Sequence, residues 1–144
     1  MFVREATVTY KTTRRPECDR PIKSSGEVAK LAEPWVQGQM KEHFYVVLLD
    51  AKHKYLCHEL VSLGTLDSTH VHPRECFTLA VREQAAAVVF IHNHPSGDPS
   101  PSPEDRAVTR RLVQSGEILG IDVLDHIILA DGGLYSFRDA GEIS

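Results

Sequence analysis

The chain has 144 residues, 42% of them hydrophobic and 25% charged, which fits one domain with a real core and excludes disordered and fibrous classes. No apolar run approaches the ~20 residues of a membrane span, and Met1–Tyr10 carries Arg4 and Glu5 without a signal-peptide apolar stretch, so a cytoplasmic protein is expected. The net charge of −4 divides into +3 over residues 1–30 and −7 over residues 31–144; a basic arm on an acidic body can touch nucleic acid, but a solvated arm is the simpler reading, because phosphate binding generally shows a stronger basic patch.

Phe2–Tyr10 alternates weakly and is rich in Val, Thr and Tyr, which suggests an edge strand open to pairing with a second copy of the chain. Lys11–Lys23 is polar, holds Pro16 and Pro21, and reads as a linker, so residues 1–23 form an arm and residues 24–144 the domain. Ser24 or Ser25 can cap a helix that Pro34 limits or kinks, with Trp35 and Val36 packing one face. His43–Leu49 and Tyr55–Leu63 form a hairpin across the turn Asp50–Lys54, and Gly64–His72 is a loop. Pro73 suits the first position of a helix running to about Gln84. Ala85–His92 is a buried central strand, and Asn93–Pro101 is a loop stiffened by three prolines. Ser102–Glu117 is a helix, Val123–Leu129 a strand bearing His126, Asp131-Gly132-Gly133 a turn and Leu134–Phe137 a last strand. This order implies an α/β class with a mixed sheet and helices on both sides. Cys18, Cys57 and Cys76 form no CxxC pair, so neither a disulfide framework nor a thiolate zinc site is signalled, and Cys57 and Cys76 read as core residues.

The chemistry concentrates at His92-Asn93-His94-Pro95 and Ser102-Pro103-Glu104-Asp105. Residues i and i+2 of a strand share a face, so His92 and His94 project together from the strand's end. Asp105 returns on the first turn of the next helix. Two imidazoles and one carboxylate suit Zn²⁺, and three protein ligands leave a fourth position for water. Helix capping alone also accounts for Ser102 as N-cap, Pro103 at N1 and the acid at N3. A hydrolytic site needs a base; Glu42, Glu59 and Glu75 are candidates, and spacing does not choose between Glu42 and Glu59.

His92-x-His94-Pro95 with Ser102-x-x-Asp105 resembles the JAMM (MPN+) metalloprotease motif, a glutamate followed by His-x-His-x10-Asp. Val71-His72-Pro73-Arg74-Glu75, Ala85–Val89, His92–Gly97 and Leu124-Asp125-His126 resemble the RadC-like members of that group, over roughly Ser24–Arg138. The resemblance implies an α/β/α layered JAB/MPN fold akin to cytidine deaminases, one zinc ion on His92, His94 and Asp105, Glu42 as general base, and Ser102 as oxyanion donor. It implies hydrolysis of peptide or isopeptide bonds in a protein substrate. The family carries a DNA-repair label, and many members hold a helix-hairpin-helix region that this chain is too short to include.

Two other classes compete. The letters His-Asn-His resemble the name of the HNH nucleases, whose sites spread those residues over a ββα unit. A zinc deaminase is disfavoured because the H-x-E and P-C-x-x-C elements are missing. A non-enzymatic MPN interaction module is the second rival. His126 is open between orienting a site residue and a structural role; His72 reads as a turn or cap residue, and His43, His53, His58 and His70 as surface or strand positions.

Overall fold

A computed structural model of the chain describes residues 1–14, 18–67 and 69–144; residues 15–17 of the expected linker, Pro16 among them, and residue 68 of the Gly64–His72 loop lie outside the described residues. The elements are α1 (Ser25–Val36), β1 (His43–Leu49), β2 (Tyr55–Leu63), α2 (Pro73–Cys76), α3 (Thr78–Arg82), β3 (Ala87–Asn93), α4 (Pro103–Leu119), β4 (Asp122–Ala130) and β5 (Gly133–Ser136). The sheet order is β2-β1-β3-β4-β5, with β3 and β4 parallel and every other pair antiparallel. This is the mixed α/β sheet expected from the sequence.

All seven residues of β3 are buried, because both faces of the strand are covered. Val88 and Phe90 face the core beneath α2, α3 and α4, together with Phe44, Val46, Phe77 and Leu112. Ala87, Val89 and Ile91 face α1, together with Val28, Ala32, Val47 and Ile127. Burying each large apolar side chain contributes about 1.5–3 kcal/mol. An unpaired buried polar group would cost about 1–3 kcal/mol, so His92 and Asn93 are tolerable at the end of this strand because both are hydrogen-bonded.

Helix α1 starts where Ser24 Oγ accepts from the backbone N–H of Glu27 at 3.2 Å. The Glu27 carboxylate accepts from Lys23 N–H at 2.7 Å, which ties down a second donor at the same end. Pro34 falls in the last turn and the helix stops at Val36. Helix α4 begins with a reciprocal capping box between Ser102 and Asp105, with Pro103 at its first position. Its buried face is Asp105, Val108, Thr109, Leu112 and Gly116, a helical stripe with polar residues only at the end nearest β3's terminus.

Two expectations are corrected. Residues 2–10 form no strand: every residue from 1 to 14 is exposed and belongs to no regular element, because an alternation this weak buries no face and finds no partner strand for its backbone groups. The sheet's edges are β2 and β5. The helix expected from Pro73 to Gln84 is two short helices separated at Phe77. There the Thr78 hydroxyl donates to the Arg74 carbonyl, taking the acceptor that a continuous helix offers to the next turn. Cys76 is buried and Cys57 packs against the same core, as expected; burial pushes their thiols up to about 12 and about 11.

Close packing of α4 on the sheet depends on Gly116. A Cβ at that position would lie 2.5 Å from the Ile121 carbonyl oxygen and 2.9 Å from Val123 Cγ2. Neither the backbone nor the branched side chain can yield cheaply. Gly116→Ala should therefore lower stability by about 1–3 kcal/mol through overpacking, despite alanine's better helix propensity. A urea titration checks this, and an unchanged or raised midpoint would show that α4 can shift away from β4.

Candidate metal centre

The end of β3 and the start of α4 meet at one point. His92 lies on the α4 face of the sheet, continuing the Val88–Phe90 row, and is fully buried. His94 follows β3 and stays aligned because its backbone N–H donates to Leu129 O at 2.8 Å. Asp105, 2% exposed, is delivered by the capping box: its carboxylate accepts from Ser102 N–H at 2.8 Å, while Ser102 Oγ accepts from Asp105 N–H at 3.0 Å.

The three side chains converge tightly. His92 Nε2 and His94 Nε2 are 2.9 Å apart, His94 Nε2 is 3.1 Å from Asp105 Oδ2, and His92 Nε2 is 3.4 Å from Asp105 Oδ1. Among the described residues, these three form the His/Cys/Asp/Glu cluster able to hold an ion. His94 Nδ1 lies 2.8 Å from the Asp98 carbonyl oxygen. A carbonyl only accepts, so Nδ1 carries a proton and Nε2 is the ring nitrogen turned toward the cluster. The cluster's electrostatics follow from this geometry. The hydrogen bond to Asp105 raises the His94 pKa against opposing burial, with the Asp98 carbonyl and the charges of Asp105 and Glu42 adding. Burial pushes the Asp105 carboxyl up, but the His92 and His94 imidazoles outweigh it and hold it well below the usual carboxylate range.

Behind His92 lies a second row. His92 Nδ1 is 2.8 Å from His126 Nε2, and His126 Nδ1 is 2.6 Å from Thr109 Oγ1. Burial, with the neighbouring His92, holds the His126 pKa well below the ordinary imidazole value. His126 reaches this position through an irregularity in β4. The β3–β4 register passes from Val88↔Val123 to Val89↔Asp125, so Leu124 is an extra residue. Strict alternation from Val123 would turn His126 toward α1; the bulge turns it toward α4.

Glu42 stands one residue before β1. Phe44 pairs with His92, so continuing the antiparallel register by two residues sets Glu42 beside His94. Its carboxylate accepts from Leu66 N–H at 3.1 Å, and its carbonyl accepts from Gly64 N–H at 2.8 Å. Asn93 brackets it from the other side. The Asn93 amide donates to Lys41 O at 3.1 Å and accepts from His43 N–H at 2.6 Å. Glu59 pairs with Val46, further from the cluster's end of the sheet, and both it and Glu75 are exposed. His43, His53, His58, His70 and His72 lie outside the cluster.

A groove of about 550 Å³ opens beside His94, between the end of α1 and the β4–β5 turn, lined among others by Lys30, Glu33, Gln37 and Asp131. The turn is pressed against the loop that carries Asp98: Gly132 N–H donates to Gly97 O at 3.0 Å, and a Cβ on Gly132 would sit 2.5 Å from that oxygen. No described helix is long and apolar enough to cross a membrane.

Three features escaped the sequence reading. Thr109 is the polar residue four positions after Asp105 on an otherwise apolar helical stripe, a signal that was available. Asn93 points away from the two histidines that flank it, and only the strand pairing shows what it holds. The orientation of His126 depends on a bulge that no local pattern announces.

A family model described as a RadC-like JAB domain matches residues 22–142. The UPF0758 protein of Methanosarcina mazei is 50% identical over 125 residues, covering 87% of this chain and 55% of the relative. That of Trichlorobacter lovleyi is 51% identical over 128 residues, 89% of this chain and 56% of the relative. That of Symbiobacterium thermophilum is 56% identical over 100 residues, 69% of this chain and 43% of the relative. The chain spans about half the length of the curated relatives it matches. Fold and match together define a JAB-type domain. The chain belongs to the RadC-like JAB family.

Asn93→Ala removes both bonds that bracket Glu42 and should cost about 1–3 kcal/mol. Amide hydrogen exchange at His43, whose N–H loses its acceptor, should accelerate; unchanged protection there would show that another group holds the segment.

Proposed function

We propose that this protein is a zinc-dependent hydrolase of amide bonds, acting on a peptide or isopeptide substrate. The observation that carries the reading is the convergence of His92, His94 and Asp105. The two Nε2 atoms are 2.9 Å apart, Asp105 approaches His94 with Oδ2 at 3.1 Å and His92 with Oδ1 at 3.4 Å, and one ligand atom from each residue lies within 4.8 Å of the others. Ligands at zinc–nitrogen distances of 2.0–2.1 Å on a tetrahedron stand about 3.3 Å apart, so the three residues can close on the ion by side-chain adjustment. Two imidazoles and one carboxylate also match zinc's ligand preference, and three protein ligands are the number typical of a catalytic rather than a structural site.

When bound, the ion supplies Lewis acidity at its open position. Glu42 is the general base. Its register position beside His94, its half-buried setting and the backbone bonds that hold it favour it over the exposed Glu59 and Glu75. It takes a proton from the attacking water and returns it to the leaving amine as the carbonyl carbon–nitrogen bond breaks. Ser102 spends only an acceptor lone pair on capping Asp105, so its hydroxyl proton can serve the oxyanion, a contribution on the order of 3 kcal/mol for such donors. The groove on the α1 side can receive a segment of a substrate chain next to His94.

Elemental analysis of the purified protein should find about one zinc per chain, and His94→Ala should lose it. Glu42→Gln should keep the metal while turnover of a panel of quenched peptides and ε-linked isopeptides falls about 10²–10⁴-fold. Wild-type protein that takes up no zinc from a Zn²⁺-containing buffer would overturn the metal reading. Undiminished turnover in Glu42→Gln would overturn the assignment of the base.

A further inference from the structure

The hydrogen-bonded row behind His92 has a direction that can be worked out from one end. The Asp105 main-chain carbonyl only accepts, so the Thr109 hydroxyl, 2.7 Å away, donates to it. With its proton committed there, Thr109 Oγ1 must accept from His126 Nδ1 at 2.6 Å. His126 is 0% exposed and its ring bonds to no carboxylate among the described residues, a setting in which an uncompensated imidazolium is costly. The ring is therefore neutral, with its one proton on Nδ1 and a lone pair on Nε2. His92 Nδ1, 2.8 Å from that lone pair, must then donate. In the neutral ring this leaves Nε2, the nitrogen aimed at His94 and Asp105, as the lone-pair position of His92. Phe137 stacks on His126 at 5.0 Å and 6°, and Phe44 meets it edge-on at 5.7 Å, so the ring plane is held from two sides.

We propose that Thr109, acting through His126, is a positioning residue that sets the tautomer of His92 and so presents its Nε2 lone pair to the metal cluster. The inference rests on the metal reading above for its purpose, but not for its test. Removing the Thr109 hydroxyl leaves His126 Nδ1–H without an acceptor inside the fold. The ring then gains by moving its proton to Nε2, where it donates to His92 and drives the His92 proton to its own Nε2. That proton occupies the site a metal needs. Ligand imidazoles are commonly fixed by an outer partner in this manner, and loss of the partner typically weakens metal affinity 10–100-fold.

The experiment is ¹⁵N–¹H correlation of imidazole-labelled, metal-free full chain at about pH 8, where unperturbed imidazoles are neutral, for wild type, Thr109→Val and Thr109→Ser. It is paired with Zn²⁺ affinity from competition with a chelating dye. Wild type and Thr109→Ser should show Nδ1–H tautomers at both His92 and His126. Thr109→Val, which keeps the shape but not the hydroxyl, should shift both toward Nε2–H and bind Zn²⁺ about 10–100-fold more weakly. An Nε2–H tautomer at His92 in the wild type overturns the proposal without recourse to any variant, as does a Thr109→Val protein with unmoved tautomers. Wild type with both Nδ1–H tautomers but no Zn²⁺ binding supports the assignment while overturning the metal reading.

Discussion

The Asp105 carboxylate is the constraint on which this structure turns. Its Oδ2 closes the capping box of α4 and lies against His94, while Oδ1 lies against His92 at the end of β3. A helix start and a strand end are thereby locked together by one side chain. The desolvation of a 2% exposed carboxylate would be prohibitive alone. It is met by the Ser102 backbone N–H and by the positive end of the helix whose first turn it occupies. Everything else at the site is arranged around that junction: Thr109 one turn along α4, His126 on the neighbouring strand, and the loop from His94 to Ser102 that spans the gap.

Stability and chemistry draw on the same residues here. Ser102 caps and, on the proposed mechanism, donates. Asp105 caps and, on the same proposal, would hold the ion. The apolar flanks make this dual use possible, since β3 is covered by α1 on one face and by α2, α3 and α4 on the other. Water is excluded from the side of the cluster that faces the core, and a groove opens beside His94.

Much of this was legible in the residues. The hairpin β1–β2 has the bounds read from its apolar run and turn, because strong β-formers flank a polar turn at Asp50–Lys54. The three converging side chains were legible because strand parity and helix capping are local rules. The failures share a cause. Phe2–Tyr10 has a strand's composition but no partner, and composition does not report partners. Phe77 divides a helix because Thr78 takes a backbone acceptor. The orientation of His126 and the grip of Asn93 depend on a one-residue bulge and on pairing with a strand some fifty positions away. These are tertiary facts, invisible to any periodicity confined to one segment.

The tripeptide His92-Asn93-His94 has a mechanical consequence. Its outer residues reach toward α4 and its middle residue reaches across to the chain on either side of Glu42. One short stretch of backbone is thus the common mount for the imidazole pair and for the carboxylate that faces them. When that stretch shifts in thermal motion, both sides of the gap are carried in the same direction, and the separation between them changes less than the position of either. Precision across the gap therefore does not require a rigid molecule, only a shared reference frame three residues long.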